Sequence, residues 1–191
     1  MKKEITASHP QGPCCITAAC YGIACFGKYF DARGLVLHTE NAFIAQWAKS
    51  LFAQSGIAGK VYVKARPSRI YEFKIGEPYE VEKMLALFSH TGEETSLRIR
   101  RENINCHGCF AAFVAAAFLC CGVIVDPAKR YALEFVSSRY PLMRDFEALL
   151  AEQGFTPKLT VRNGVNVLYF KASEQIEDLL TTMGASEIGR A

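Results

Sequence analysis

Neither sign of charge is in surplus: 22 lysines and arginines stand against 19 acids, a formal net charge of +3 in 191 residues. That total is too small to draw the whole chain onto phosphate, so any affinity for nucleic acid rests on how the charge is distributed. Long apolar runs are missing too. The longest, Cys109 to Val125, falls short of the roughly 20 residues that cross a bilayer, and it is rich in Ala and Cys rather than Leu and Ile. No apolar segment follows the basic residues of the opening MKKEITASHPQGP, so no secretory signal is expected and no membrane partner. A cytoplasmic, nucleoid-associated location is the expectation. His9, His38, His90 and His107 share no spacing and receive no metal or catalytic role. With 50% hydrophobic and 21% charged residues, the composition is that of one ordinary globular domain or two small fused ones.

Cysteine is the residue in unexpected supply, with eight in two groups: Cys14, Cys15, Cys20 and Cys25, then Cys106, Cys109, Cys120 and Cys121. Neighbours on one helix face rarely bridge one another, and a cytosolic chain keeps its thiols reduced, so a disulfide framework is not expected. A zinc site joining Cys14 and Cys15 to Cys106 and Cys109 is the sharper alternative. The CHGC unit has the C-x-x-C spacing, but no turn-like knuckle surrounds it and the other pair is adjacent in sequence. Buried core cysteine is therefore preferred, and no metal or cofactor is expected.

The stretch from Cys106 to Pro127 organises the chain. It carries no acid, lysine or arginine up to Val125, and Ala112, Ala115, Ala116, Cys120 and Cys121 alternate with Phe110, Phe113, Phe118 and Leu119. Small residues at helical spacing let a second backbone approach closely, which implies a partner helix. Cys14 to Phe30 supplies it, again with a cysteine pair leading into Ala18, Ala19, Gly22 and Ala24. After each of these helices the same order follows: a strand (34–39; 131–136), an amphipathic helix (40–54; 138–153), two strands (60–66 and 70–75; 158–162 and 165–170) and a last helix (78–88; 173–183, capped by Ser173). At a constant displacement of 98 residues, Leu35 falls on Leu133, Leu37 on Phe135, Ile44 on Leu142, Leu51 on Leu149, Gly56 on Gly154, Lys60 on Lys158 and Tyr71 on Tyr169. This argues for a duplicated αββαββα unit. The expected organisation is a polar arm (1–13), a first repeat (14–88), a linker (89–105) and a second repeat (106–186).

The order of elements resembles the LAGLIDADG homing-endonuclease fold, an α+β architecture. In it, two tandem αββαββα repeats pack pseudo-symmetrically through their first helices beneath mostly antiparallel saddle sheets. More closely, the Cys14-Cys15 pair, the Thr39-Glu40-Asn41 triplet and the run AFLCCGVIVDPAKRYALEFVSS (117–138) resemble the N-terminal part of the WhiA family of bacterial sporulation and cell-division regulators. One departure is His107-Gly108-Cys109 after Cys106, where the family commonly shows a second adjacent pair. In the nucleases, each interfacial helix ends in an acid that holds a divalent metal. Laid on this chain, those positions carry Gly27 and Cys121, neither of which replaces a hard oxygen ligand. Asp31 and Asp126 lie just beyond and are expected to be turn acids.

The resemblance thus implies a non-catalytic domain of a transcription regulator, with double-stranded DNA as partner. The candidate DNA contacts are Lys60, Lys64, Arg66, Lys158 and Arg162 on one outward sheet face, Arg69 and Lys74 nearby, and Arg98, Arg100 and Arg101 in the linker, opposite helices rich in acid. A protein-interaction module that engages other transcription or cell-division regulators is the alternative, and an active nuclease the least favoured. The family resemblance also implies a C-terminal helix-turn-helix domain, and the chain ends at Ala191, about where that would begin.

Overall fold

The computed structural model describes residues 1–8, 10–125, 128 and 130–185. Its first unit runs α2 (Pro13–Phe26), β1 (Tyr29–Asp31), β2 (Gly34–Thr39), α3 (Ala42–Gln54), β3 (Lys60–Lys64), β4 (Ile70–Ile75) and α4 (Pro78–Phe88). The second repeats the order with α5 (His107–Cys121), β5 (Gly122–Val125), β6 (Ala132–Ser137), α6 (Tyr140–Glu152), β7 (Lys158–Arg162), β8 (Val165–Phe170) and α7 (Ser173–Thr182). Within the polar arm expected before residue 14, Lys2–Ala7 form a short helix, α1, whose Ile5 is buried against the core. Ser173 begins α7 but makes no cap hydrogen bond; Ala172 holds the cap position.

Each unit contains an antiparallel four-stranded sheet, in the orders β1-β2-β4-β3 and β5-β6-β8-β7. The apolar members of each strand's alternation, Leu35, Leu37, Phe73 and Ile75 in one sheet and Leu133, Phe135, Leu168 and Phe170 in the other, face a core shared with α2 and α5. Those two helices form the largest contact between any two elements. Gly22 explains how they come so close. A Cβ at that position would lie 2.6 Å from Ala116 Cβ and 2.8 Å from the Phe113 carbonyl oxygen, so any side chain there would force the partner helix to shift. Phe26, Phe113 and Phe146 then close the seam, Phe113 meeting the other two edge to face and Phe26 tilted against Phe146, with ring centroids 5.0–6.0 Å apart.

Cross-strand pairing corrects the register of the repeat. Leu35 pairs with Ile75, and Leu133 with Phe170, so β4 and β8 correspond at a displacement of 95, not 98. The connection before β4 is longer than the Asn163-Gly164 turn before β8, and this absorbs the difference. Tyr71 therefore lies on the core side of its sheet, while Tyr169, opposite Glu134 and Lys158, lies on the outer side; the true counterpart of Tyr169 is Lys74.

The linker is a strap stitched to both units. Tyr21 Oη accepts from the Arg100 N–H at 2.8 Å, and Asn103 Nδ2 donates to the Phe88 carbonyl at 3.0 Å. Toward the second unit, Arg98 grips Asp145 with two hydrogen bonds of 2.8 and 2.7 Å, and Arg101 grips Glu152 with two of 2.6 and 2.9 Å.

Candidate nucleic-acid interface and the two ends of the helix pair

The outer sheet faces carry the basic strands, divided between two sheets rather than gathered on one. In the first, β3 is an edge strand with Lys60, Tyr62 and Lys64 outward; Lys60 stands opposite Lys74, and Tyr62 opposite Glu72. In the second, Lys158, Thr160 and Arg162 line the edge strand β7. Each face also holds an acid that the candidate contacts did not include. Glu72 Oε2 meets His38 Nε2 at 2.6 Å and Lys64 Nζ at 3.1 Å. Burial pushes the Glu72 carboxyl up, but the hydrogen bonds from His38 and Lys64 outweigh it and hold it below its ordinary value. The buried Glu134 likewise takes Arg162 at 2.8 Å and Arg130 at 3.5 Å. Each acid is the only one in its strand, IYEFKI and ALEFVS, a signal readable in the sequence.

The candidate residues therefore divide. Lys60, Lys74, Arg66, Arg69 and Lys158 are exposed and make no ion pair among the described residues, whereas Lys64 and Arg162 are partly neutralised. Arg66 leaves the strand expected to hold it, and with Arg69 occupies the long β3–β4 connection. Arg98 and Arg101 are drawn onto α6, and Arg100 lies 3.9 Å from Glu94 and 4.0 Å from Glu102, so the strap spends its densest positive charge on acids of its own chain. At the end of the first sheet, Lys60, Tyr62, Lys74 and Tyr79 border one open groove. Tyr79 is 71% exposed and Tyr62 46%, so two aromatic rings stand beside two unpaired ammonium groups, the Tyr79 ring already carrying Lys83 Nζ 4.7 Å from its centroid.

The C-terminal ends of α2 and α5 carry Gly27 and Cys121. No carboxylate occupies either position. A cation of the chain's own stands there: Arg139, which ends the β6–α6 connection, donates through Nη1 to the carbonyls of Cys25 (2.9 Å) and Gly27 (3.1 Å) and through Nη2 to that of Lys28 (2.9 Å). It satisfies the orphan carbonyls of the helix end and complements its negative dipole. Asp31 is held by its own turn, accepting from the Arg33 N–H at 2.8 Å and from its guanidinium at 2.8–3.2 Å. Asp126 lies outside the described residues. Nothing in the sequence announces Arg139, because its partners lie more than a hundred residues away.

The N-terminal ends of the same two helices meet at four cysteines, and here the preference for core cysteine requires correction. Cys15 and Cys109 are buried as expected, but Cys14 and Cys106 are exposed, and the four Sγ atoms lie within 4.8 Å of one another. Cys106 is the N-cap of α5, its sulfur accepting the Cys109 N–H at 3.4 Å. That hydrogen bond, and those from the neighbouring thiols, draw the Cys106 pKa down to about 7, while burial pushes Cys15 up. Cys20 and Cys25 are core residues pushed up to about 12 by burial.

Comparison with known proteins places this geometry. The structure superposes on the solved I-DmoI in complex with DNA and Mn with a TM-score of 0.63 at 14% identity, covering 92% of this chain and 99% of that one. The fold is the LAGLIDADG homing-endonuclease-like fold. Full-length DUF199/WhiA from Thermatoga maritima matches with a TM-score of 0.75 at 16% identity over 99% of this chain and 63% of that one. The N-terminal LAGLIDADG domain of DUF199/WhiA matches at 0.73 and 14% over 100% and 89%. The model of the WhiA LAGLIDADG-like domain matches residues 110–189. In sequence, the probable cell division protein WhiA of Clostridium botulinum is 33% identical over 157 residues, 77% of this chain and 50% of that protein. That of Ruminiclostridium cellulolyticum is 28% identical over 97% of this chain and 62% of its own length. The chain is a homologue of the WhiA cell-division proteins and carries their LAGLIDADG-like domain. It spans between half and two thirds of the length of these relatives. Among the described residues, no helix is long and apolar enough to cross a membrane.

Proposed function

We propose that this chain is a non-catalytic DNA-binding domain of a cell-division and sporulation regulator, acting in the nucleoid, with a fold inherited from a nuclease whose chemistry it has lost. The observation that carries the reading is the pairing of two features. Lys60 and Lys158 stand unneutralised on the edge strands, with Lys74 on β4 and Arg66 and Arg69 in the β3–β4 connection, and Arg139 rather than a carboxylate stands at the end of α2. The solved I-DmoI relative binds DNA in the same fold, which supports DNA as the partner. Hydrolysis of a phosphodiester by this fold needs hard oxygen ligands for a divalent ion, and a guanidinium there repels such an ion.

Lys60, Lys74, Arg66, Arg69 and Lys158 carry the electrostatic contact, with Tyr62 and Tyr79 offering apolar faces beside it. Fluorescence anisotropy with a labelled duplex at low salt tests the reading. Binding should weaken steeply with salt, with a slope reporting a handful of displaced counterions. A chain that binds no duplex at low salt, but retains a protein partner through high salt and nuclease treatment, would replace this reading with that of a protein-interaction module.

A further inference from the structure

The four cysteines at the N-terminal end of the helix pair form an arrangement that core packing alone does not account for, since Cys14 and Cys106 are exposed. Their sulfurs stand at Cys14–Cys15 4.0 Å, Cys14–Cys106 3.9 Å, Cys15–Cys106 3.7 Å, Cys106–Cys109 3.5 Å and Cys15–Cys109 4.0 Å. The remaining edge, Cys14–Cys109, is within 4.8 Å. A tetrahedron of sulfurs about 2.3 Å from a central ion has edges of about 3.8 Å. The five measured edges bracket that value. A polynuclear iron–sulfur cluster would hold its cysteines farther apart, since two or more irons lie between them.

A second observation is independent of the thiols themselves. Gly108 lies in the first turn of α5, and a Cβ there would stand 2.8 Å from Cys15 Sγ and 3.7 Å from Cys106 Sγ. The chain keeps this position clear of any side chain on the flank of the cluster. Two of the thiols are exposed, so an ion has a path to the site from solvent. Both helices present their N-terminal ends to it, and the Cys109 N–H donates to Cys106 Sγ, so the positive ends of two helix dipoles face the sulfurs.

We infer that Cys14, Cys15, Cys106 and Cys109 bind one zinc(II) ion as a tetrathiolate. Binding displaces the four thiol protons and leaves a site of charge −2 at the positive ends of α2 and α5. Two ligands come from the first unit and two from the second, so the ion staples the two repeats together at the end of the helix pair opposite Arg139. Its role is structural: four protein ligands fill the coordination sphere and leave no position for a substrate or water. The inference does not depend on DNA binding, and its test reads metal rather than DNA.

The experiment is metal analysis of the whole chain, purified under reducing conditions without chelator and dialysed against zinc-free buffer, followed by exchange with cobalt(II). The expected result is one zinc per chain. The cobalt form should show the intense visible absorption of a tetrahedral site and thiolate-to-metal charge transfer in the near ultraviolet. Cys106→Ser and Cys109→Ser should each lower zinc affinity by tenfold or more. Gly108→Val keeps all four thiols and should weaken zinc by crowding Cys15, while Cys121→Ser, at the far end of α5, should leave zinc content unchanged. In the native chain, Ellman's reagent should react slowly with the exposed Cys14 and Cys106, and quickly once zinc is chelated. Metal-free protein with four freely reactive thiols at this site would overturn the inference. So would a disulfide between Cys15 and Cys106 in the reduced preparation, or a chain that carries iron with acid-labile sulfide. Because the wild-type metal content is itself decisive, a variant that fails to fold does not leave the question open.

Discussion

The two ends of the α2–α5 pair present opposite chemistry on one scaffold. At the N-terminal end, four soft sulfurs converge to 3.5–4.0 Å along five of their six edges. At the C-terminal end, where the homing-endonuclease resemblance implies hard oxygen ligands, the chain has Gly27, Cys121 and a guanidinium that already occupies the exposed carbonyls. The helix seam between them, set by Gly22 against Phe113 and Ala116, is common to both. On the proposed reading, a packing solution outlasts the chemistry built on it, because the seam depends on small side chains and the chemistry on one acid per helix.

The seam comes first in any attempt to break this comparison. Gly22→Leu drives a branched side chain into the Phe113 backbone and should cost about 3 kcal/mol or more of stability by urea denaturation, with loss of cooperative unfolding. Gly22→Ala gains a little helix propensity but still meets Ala116, and should retain the fold with a smaller loss, about 1–2 kcal/mol. An alanine variant as stable as wild type would show that the helices have room to spare.

The Arg139 end ranks next. Arg139→Ala leaves three carbonyls without their donor and should cost about 1–3 kcal/mol, part of it restored by lysine. The strap follows, because Asp145 joins it to α6. Burial raises the Asp145 pKa, but the hydrogen bonds from Arg98 and the Ile99 N–H prevail, and the group sits below its ordinary 3.8. A carboxyl depressed in the folded state stabilises above its unfolded pKa, and that contribution is lost as pH falls through the folded value. Asp145→Asn should therefore lower stability by about 1 kcal/mol near neutrality and flatten the fall in stability at pH values below 3.8.

The smallest effects compare the two sheets. Lys60→Ala or Lys158→Ala should weaken duplex binding about two- to fivefold at low salt, and the triple replacement of Lys60, Arg66 and Arg69 by about tenfold or more, with a shallower salt slope. Lys64→Ala and Arg162→Ala should cost less affinity, since Glu72 and Glu134 already claim those charges. Equal losses at all four single sites would show that DNA displaces the acids on binding.

Most of the fold was legible because the apolar pattern was redundant. Pro78–Phe88, Lys158–Arg162 and Val165–Phe170 begin and end where the periodicity places them, and Gly56 and Gly154 both take the positive φ expected of helix-terminating glycines. The strands β1 and β5 were not separable from the helices they follow, being only three and four residues long and starting within three residues of the helix ends. The register error at Tyr71 arose because a constant displacement cannot reveal a longer hairpin connection. Site features were harder to read, for a common reason. Arg139 finds its acceptors, and Cys15 meets Cys106, only after the two repeats pack, and neither contact leaves a spacing in the chain. The paired cysteines were visible as a possible ligand set, but the meeting of two helix N-termini was not.

One measurement bears most directly on the claim that the helix pair has kept its packing and lost its hard-metal chemistry. Supercoiled plasmid is incubated with stoichiometric protein in magnesium and, separately, manganese, then resolved before and after protein removal. The account predicts DNA that is retarded while protein is bound and fully supercoiled once it is stripped, in both metals and at every protein concentration. Nicked or linear product that requires the metal and disappears in Asp31→Asn or Asp126→Asn would contradict it.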